Sequence, residues 1–143
     1  MPPELRGHAR TEDIERQLLL KTLADDVVAL MKRPGTLKAD ILGNSLGGAV
    51  AMRLAIEHPK AVDRLVLVSQ PFKRAGWYPE VRAAFDTMGP AAARGMEQSP
   101  LSALYPLVNW ETLFAKLGEL LRRDYDWSER SGGHQGAGAT HLC

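Results

Sequence analysis

One stretch, residues 39–68, limits the folds open to this chain more than any other. It holds a short apolar run, a glycine-bracketed serine, a run of small and aliphatic residues, and a second apolar run. Ala39-Asp40-Ile41-Leu42 is too brief for a helix and leads straight into glycine, which predicts a strand near 39–43 buried on both faces. From Gly47 to His58 the composition is Ala, Val, Met, Leu and Ile with little β-branching. It ends before Pro59, because a residue preceding proline is pushed out of helical geometry. That is a helix. Leu65-Val66-Leu67-Val68 predicts a second buried strand, near 64–69. Strand, helix and strand within about 30 residues form a right-handed crossover with parallel strands, so the fold class is α/β.

The flanks are organised differently. Residues 1–17 are polar and irregular, and the first helical period runs through Leu20, Leu23, Val27, Leu30 and Met31 until Pro34-Gly35 stops it. After Pro71 no strand signal remains. Val81, Phe85 and Met88, then Leu113, Leu117, Leu120 and Leu121, mark amphipathic helices, with Pro79 at a start, Gly89 after an end and Asn109 as an N-cap. From Ser128 the chain is glycine-rich and without period, as flexible linkers are. The expected organisation is a core over 1–70 with the serine turn, a helical region over 71–127 and a flexible tail over 128–143.

Composition narrows the partners. With 18 Lys and Arg against 17 Asp and Glu, the net charge of +1 gives no field that would draw nucleic acid or an anionic membrane. No apolar run approaches the roughly 20 residues that span a bilayer, and Met1-Pro2-Pro3-Glu4 opens without a signal-peptide pattern, so neither membrane insertion nor export is expected. Cys143 is the sole cysteine, which leaves no intrachain disulfide and makes the cytoplasm the expected setting. His134, His141 and Cys143 match no closed tetrahedral spacing, so no metal is expected, and nothing calls for a cofactor.

Ser45, in Gly43-Asn44-Ser45-Leu46-Gly47, is the candidate nucleophile. A serine hydroxyl reacts only when a base removes its proton, and it must project from the backbone to meet base and substrate together. A sharp strand-to-helix turn provides that projection. Gly43 and Gly47 flank it where side chains are expected to collide with strand and helix. The Leu46 N–H, at the helix start, is the expected oxyanion donor. Gly48, Ala49 and Ala51 let the helix approach the sheet closely. Two plainer readings compete: a flexible turn in another strand–helix–strand unit, and a phosphate-binding loop. The second fails, because Ala49 and Val50 stand where a lysine and a hydroxyl are needed. His134 and His141 follow Ser45 in the chain, but a glycine-rich tail is not expected to hold a base in place. His58 suits a helix end and His8 a loop, while Asp124 and Asp126 read as solvated surface and Met88 and Met96 as packing residues.

Leu42-Gly43-Asn44-Ser45-Leu46-Gly47-Gly48, with Ala24-Asp25-Asp26-Val27, Glu57-His58-Pro59 and Arg64-Leu65-Val66-Leu67-Val68-Ser69, resembles the central stretch of α/β-hydrolase-fold esterases. The resemblance extends over roughly residues 7 to 127, and Gly7-His8-Ala9-Arg10 is similar to the loop after that family's fourth strand. It implies a partial α/β-hydrolase fold that cleaves an ester or related acyl bond of a small-molecule substrate. It also implies that residues 71–127, with Trp77, Tyr78, Tyr105 and Trp110, form a helical cap. The departures are a missing second oxyanion donor, which the family carries after its third strand, and no strand run after Asp126 to carry the acid and the histidine. They imply a chain truncated at both ends, and they set a second expectation beside the first: an inactive fragment or interaction module. Two strands with both outer edges unpaired imply self-association.

Overall fold

A computed structural model describes residues 3–131 and 140–142. Its helices are α1 (Leu20–Lys32), α2 (Leu46–Glu57), α3 (Pro79–Thr87), α4 (Pro90–Glu97), α5 (Pro100–Leu104), α6 (Trp110–Arg122) and α7 (Ser128–Ser131). Its strands are β1 (Ala39–Asn44), β2 (Val62–Val68) and β3 (Thr140–Leu142). The chain divides into two compact units: residues up to Leu18 with Trp77–Asp124, and Leu19–Gly76 with the residues from Tyr125 onward. Residues 3–18, which the sequence grouped with the sheet, therefore belong to the helical unit.

The α/β unit is built on the expected crossover. β1 and β2 are parallel, with Ile41 opposite Leu65, Gly43 opposite Leu67 and Asn44 opposite Val68. α2 packs on both strands and on α1. Its run of small residues explains the close fit, since Ala49, Val50, Ala51, Met52, Leu54 and Ala55 are all buried. Leu23 of α1 and Leu54 of α2 are wholly enclosed. The buried stripe of α1 is Leu23, Ala24 and Val28. Leu30, two turns beyond Leu23 on the same side, is 47% exposed, so it departs from the expected face by its distance along the axis.

Two expectations need correction. β1 is not buried on both faces: Gly43 is buried, but Asp40 is exposed and Leu42 is 70% exposed. α2 covers one side of this sheet, with α1 packed on α2, and among the described residues nothing closes over Leu42. The tail from Ser128, expected to be flexible, is not without structure among its described residues either. Ser128–Ser131 forms a helical turn, and Thr140–Leu142 pairs in parallel with Val66–Val68. The outer edge of β2 presents unpaired N–H and C=O groups, which an extended segment satisfies. The strand order is β1-β2-β3, so β1 keeps an open edge while part of the β2 edge is taken. His134 and Cys143 lie outside the described residues.

In the helical unit the starts are set by proline. α3, α4 and α5 each carry Pro in the first turn, where the missing N–H costs nothing. Asn109 caps α6 as expected, its side chain accepting from the Thr112 N–H at 2.9 Å. α6 packs on α3 and α4, and Gly118 is required there because a Cβ would run into the Met88 carbonyl. The segment before Leu18 is tied to α6 by Lys116, which donates to the Ile14 carbonyl at 2.7 Å.

Two measurements test this account of the α/β unit. Leu54→Ala empties a fully enclosed site and should lower stability by about 2–5 kcal/mol, read from the denaturant midpoint. Asp25 accepts from Lys21 Nζ at 2.8 Å and from His58 Nε2 at 2.6 Å, and Lys21 first, then His58, holds its carboxyl below the usual range. A lowered carboxylate stabilises fully at neutral pH and loses that contribution as pH falls through its folded-state value. Asp25→Asn should therefore cost on the order of 0.5 kcal/mol at pH 7, and the gap from wild type should close in melts below about pH 4.

Candidate active site

The bend between β1 and α2 is where local geometry departs from ordinary backbone. Ser45 has φ 50° and ψ −120°, a conformation that costs a non-glycine residue about 1–3 kcal/mol and persists only where surroundings impose it. The surroundings are visible. The Ser45 N–H donates to the Val68 carbonyl at 2.9 Å, and its own carbonyl accepts from the Ala49 N–H at 3.0 Å. The first bond ties the bend to the end of β2, and the second commits the chain to helix immediately.

Ser45 occupies the N-cap of α2, where serine ordinarily turns its hydroxyl back onto the helix. Here it makes no side-chain cap bond, and the residue is exposed. The hydroxyl is therefore not spent on the helix. The first-turn N–H groups of Leu46 and Gly47 have no partner within the helix and carry the positive end of its dipole. A serine hydroxyl with no cap bond and two unpaired first-turn N–H groups thus stand together at one helix start.

The glycines around the bend divide differently from expectation. A Cβ on Gly43 would run into the Gly47 carbonyl and lie 2.7 Å from the Gly48 Cα, so strand and helix cross without room for a methyl. Gly47, expected to be equally constrained, meets nothing within 4 Å. Its place is taken by Gly48, where a Cβ would lie 2.7 Å from the Gln70 Cβ. The reason is orientation: Gly47 points away from the sheet, and Gly48 points into it. Sequence reasoning counted Gly48 only as a small residue and missed Gln70, although the Gly47-Gly48 doublet was a usable signal.

The other polar candidates stand elsewhere. His8 Nδ1 is hydrogen-bonded to the Arg6 carbonyl at 3.0 Å. His58 caps the far end of α2, about 18 Å from Ser45 along a 12-residue helix. His141 is the register partner of Leu67 on β3, two strand spacings or about 10 Å from β1. Asp126 accepts from the Ser128 N–H at 2.9 Å, and the Ser128 hydroxyl first, then this N–H, holds its carboxyl below the usual range. Among the described residues no cluster of three His, Cys, Asp or Glu is grouped to hold a metal ion, and no helix is long and apolar enough to cross a membrane. A cavity of about 60 Å³ in the helical unit, lined by Gly7, Thr11, Asp13, Val108, Asn109 and Leu113 among others, includes none of the residues around Ser45.

A family model described as the alpha/beta hydrolase fold matches residues 3–107. The chain belongs to the α/β-hydrolase-fold family. This family member is 34% identical over 86 residues to a protein of Caulobacter vibrioides named as a carbamate hydrolase, RutD; the match covers 57% of this chain and 30% of that protein. An alpha/beta hydrolase enzyme from a Medee basin deep-sea metagenome library has the same fold, with a TM-score of 0.69 at 16% identity over 95% of this chain and 57% of its own. Est816, described as an N-acyl homoserine lactone degrading enzyme, gives a TM-score of 0.52 at 26% identity over 80% of this chain and 49% of its own. The chain thus spans about half the length of these solved structures, and less of the curated relative.

The glycine geometry makes an asymmetric prediction. Gly43→Ala should destabilise by about 2 kcal/mol or more through overpacking. Gly47→Ala, inside α2 and facing open space, should be neutral or up to about 1 kcal/mol stabilising. Urea midpoints of the two variants measure both, and equal losses would contradict the assignment of crowding to Gly43 rather than Gly47.

Proposed function

We propose that this α/β-hydrolase-fold chain carries the nucleophile of an acyl hydrolase. Ser45 Oγ adds to the carbonyl carbon of an ester or related acyl bond while a general base takes its proton, and the Leu46 N–H faces the developing oxyanion. Collapse of the adduct expels the alcohol or amine, which leaves with a proton, and water releases the acid from the acyl-serine. The observation that carries this reading is a serine at a helix N-cap that is held at φ 50° and ψ −120° and makes no cap bond. Strain at a position where a relaxed, capping serine was available points to a role outside stability. The names of the relatives agree in chemistry: a carbamate and an N-acyl homoserine lactone both present a carbonyl bonded to a heteroatom.

A second reading, an inactive interaction module, has its own support in the open edge of β1 and the 70% exposure of Leu42. In that case the chain associates with a second copy through the edge, and size-exclusion elution should move to larger size as concentration rises. An elution volume independent of concentration would remove this reading.

The experiment for the first reading is labelling by a serine-directed fluorophosphonate. Labelling of the wild type that disappears in Ser45→Ala supports it, and equal labelling of both proteins or none of either overturns it. The variant Ser45→Gly adds a thermodynamic check. It should abolish labelling and yet raise the melting temperature, because glycine adopts this backbone conformation without strain.

A further inference from the structure

The residues that follow β2 turn back toward the bend and grip it. Val68 supplies the carbonyl that holds the Ser45 N–H. Ser69, next in the chain, is exposed and has φ 52°, so non-glycine residues in the left-handed region end both neighbouring strands. Gln70 is 5% exposed, a buried polar side chain in an otherwise apolar core. Its stem fills the space that the absent side chain of Gly48 leaves open, with Cβ at 2.7 Å and Cγ at 3.2 Å from where a Gly48 Cβ would be.

The head of Gln70 is anchored on the other side. Nε2 donates to the Pro71 carbonyl at 2.8 Å and to the Tyr125 hydroxyl at 2.9 Å. Tyr125 stacks on the buried Trp127 with ring centroids 4.3 Å apart. Backbone bonds lock the pair in place, Arg74 N–H to the Tyr125 carbonyl at 3.0 Å and Trp127 N–H to the Phe72 carbonyl at 2.8 Å. If this position served only to fill space, a hydrocarbon side chain would do so without the desolvation penalty of a buried amide. An amide with both N–H groups engaged is what a fixed brace requires.

We propose that Gln70 is a positioning residue for Ser45: wedged under the first turn of α2 and held by Tyr125, it keeps Val68–Pro71 pressed against the bend and so maintains the backbone conformation at Ser45. The structural part of this inference stands alone, and its catalytic meaning rests on the proposed function of Ser45. Two variants separate the roles. Gln70→Leu keeps the stem against Gly48 and removes both hydrogen bonds, while Tyr125→Phe keeps the ring stack on Trp127 and removes one hydroxyl.

The first readout is residue-resolved amide hydrogen exchange in the full chain. Each variant should speed exchange at Ser45 roughly tenfold or more, as expected for losing at least one buried hydrogen-bond anchor, with exchange at the enclosed Leu54 changed less than about twofold. Unchanged exchange at Ser45 in Tyr125→Phe, or equal acceleration at Leu54, overturns the brace; because Tyr125→Phe is mild, the test survives a Gln70→Leu chain that does not fold. The second readout is the maximal rate of fluorophosphonate labelling, which should fall in both variants without a matching change in the probe concentration giving half-maximal rate. Loosened exchange with an undiminished labelling rate overturns the positioning role. A wild type that never labels counts against the nucleophile reading alone, since the exchange result does not require Ser45 to react.

Discussion

A strand and a helix cross at Gly43 and Gly48 with no space for a methyl group between them, and most of what is distinctive here follows from that contact. The approach forces the intervening residues into a bend too tight for ordinary backbone angles. Ser45 therefore sits at positive φ and makes no side-chain bond to the helix it caps. The same closeness lets β2 take the Ser45 N–H at Val68, while the first N–H groups of α2 beside the serine have no partner within the helix. Tight packing, a costly backbone conformation and a serine with no cap bond are here a single geometric fact.

That strain has to be maintained by neighbouring groups. Ser45 and Ser69 both lie in the left-handed region, and each alone would relax toward commoner angles. What prevents it is a chain of ordinary contacts running from Gly48 through Gln70 to Tyr125 and Trp127. The anchor at the far end of that chain is 55 residues from Gln70 in sequence, so the bend depends on a segment that local motif reading does not include.

Local signals were legible where one residue dictates its own backbone. Pro59 ended α2, Pro79 opened α3, Asn109 capped α6, and the alternation of strand, helix and strand around Ser45 gave the parallel pair. The α/β class and the family followed from those elements. Less legible was anything decided by what lies opposite. Gly47 and Gly48 are indistinguishable as letters, and only the direction of each Cα relative to the sheet separates them. Leu42 reads as a buried strand residue because its neighbours are apolar, but burial needs a covering layer that a short run cannot specify. Thr140–Leu142 carries too little periodicity to announce a strand and becomes one because β2 has an edge to satisfy. Gln70 and Tyr125 were invisible for the same reason: their partnership spans the sequence.

The uncovered side of the sheet has a further consequence. With Leu42 left in water and only α2 packed on the opposite side, the α/β unit removes less hydrocarbon from solvent than a sheet sandwiched between two helical layers. The heat capacity of unfolding and the sensitivity to denaturant both scale with that area. A broad melting transition, and a stability curve shallower across temperature than chain length alone implies, are what that smaller area leads to.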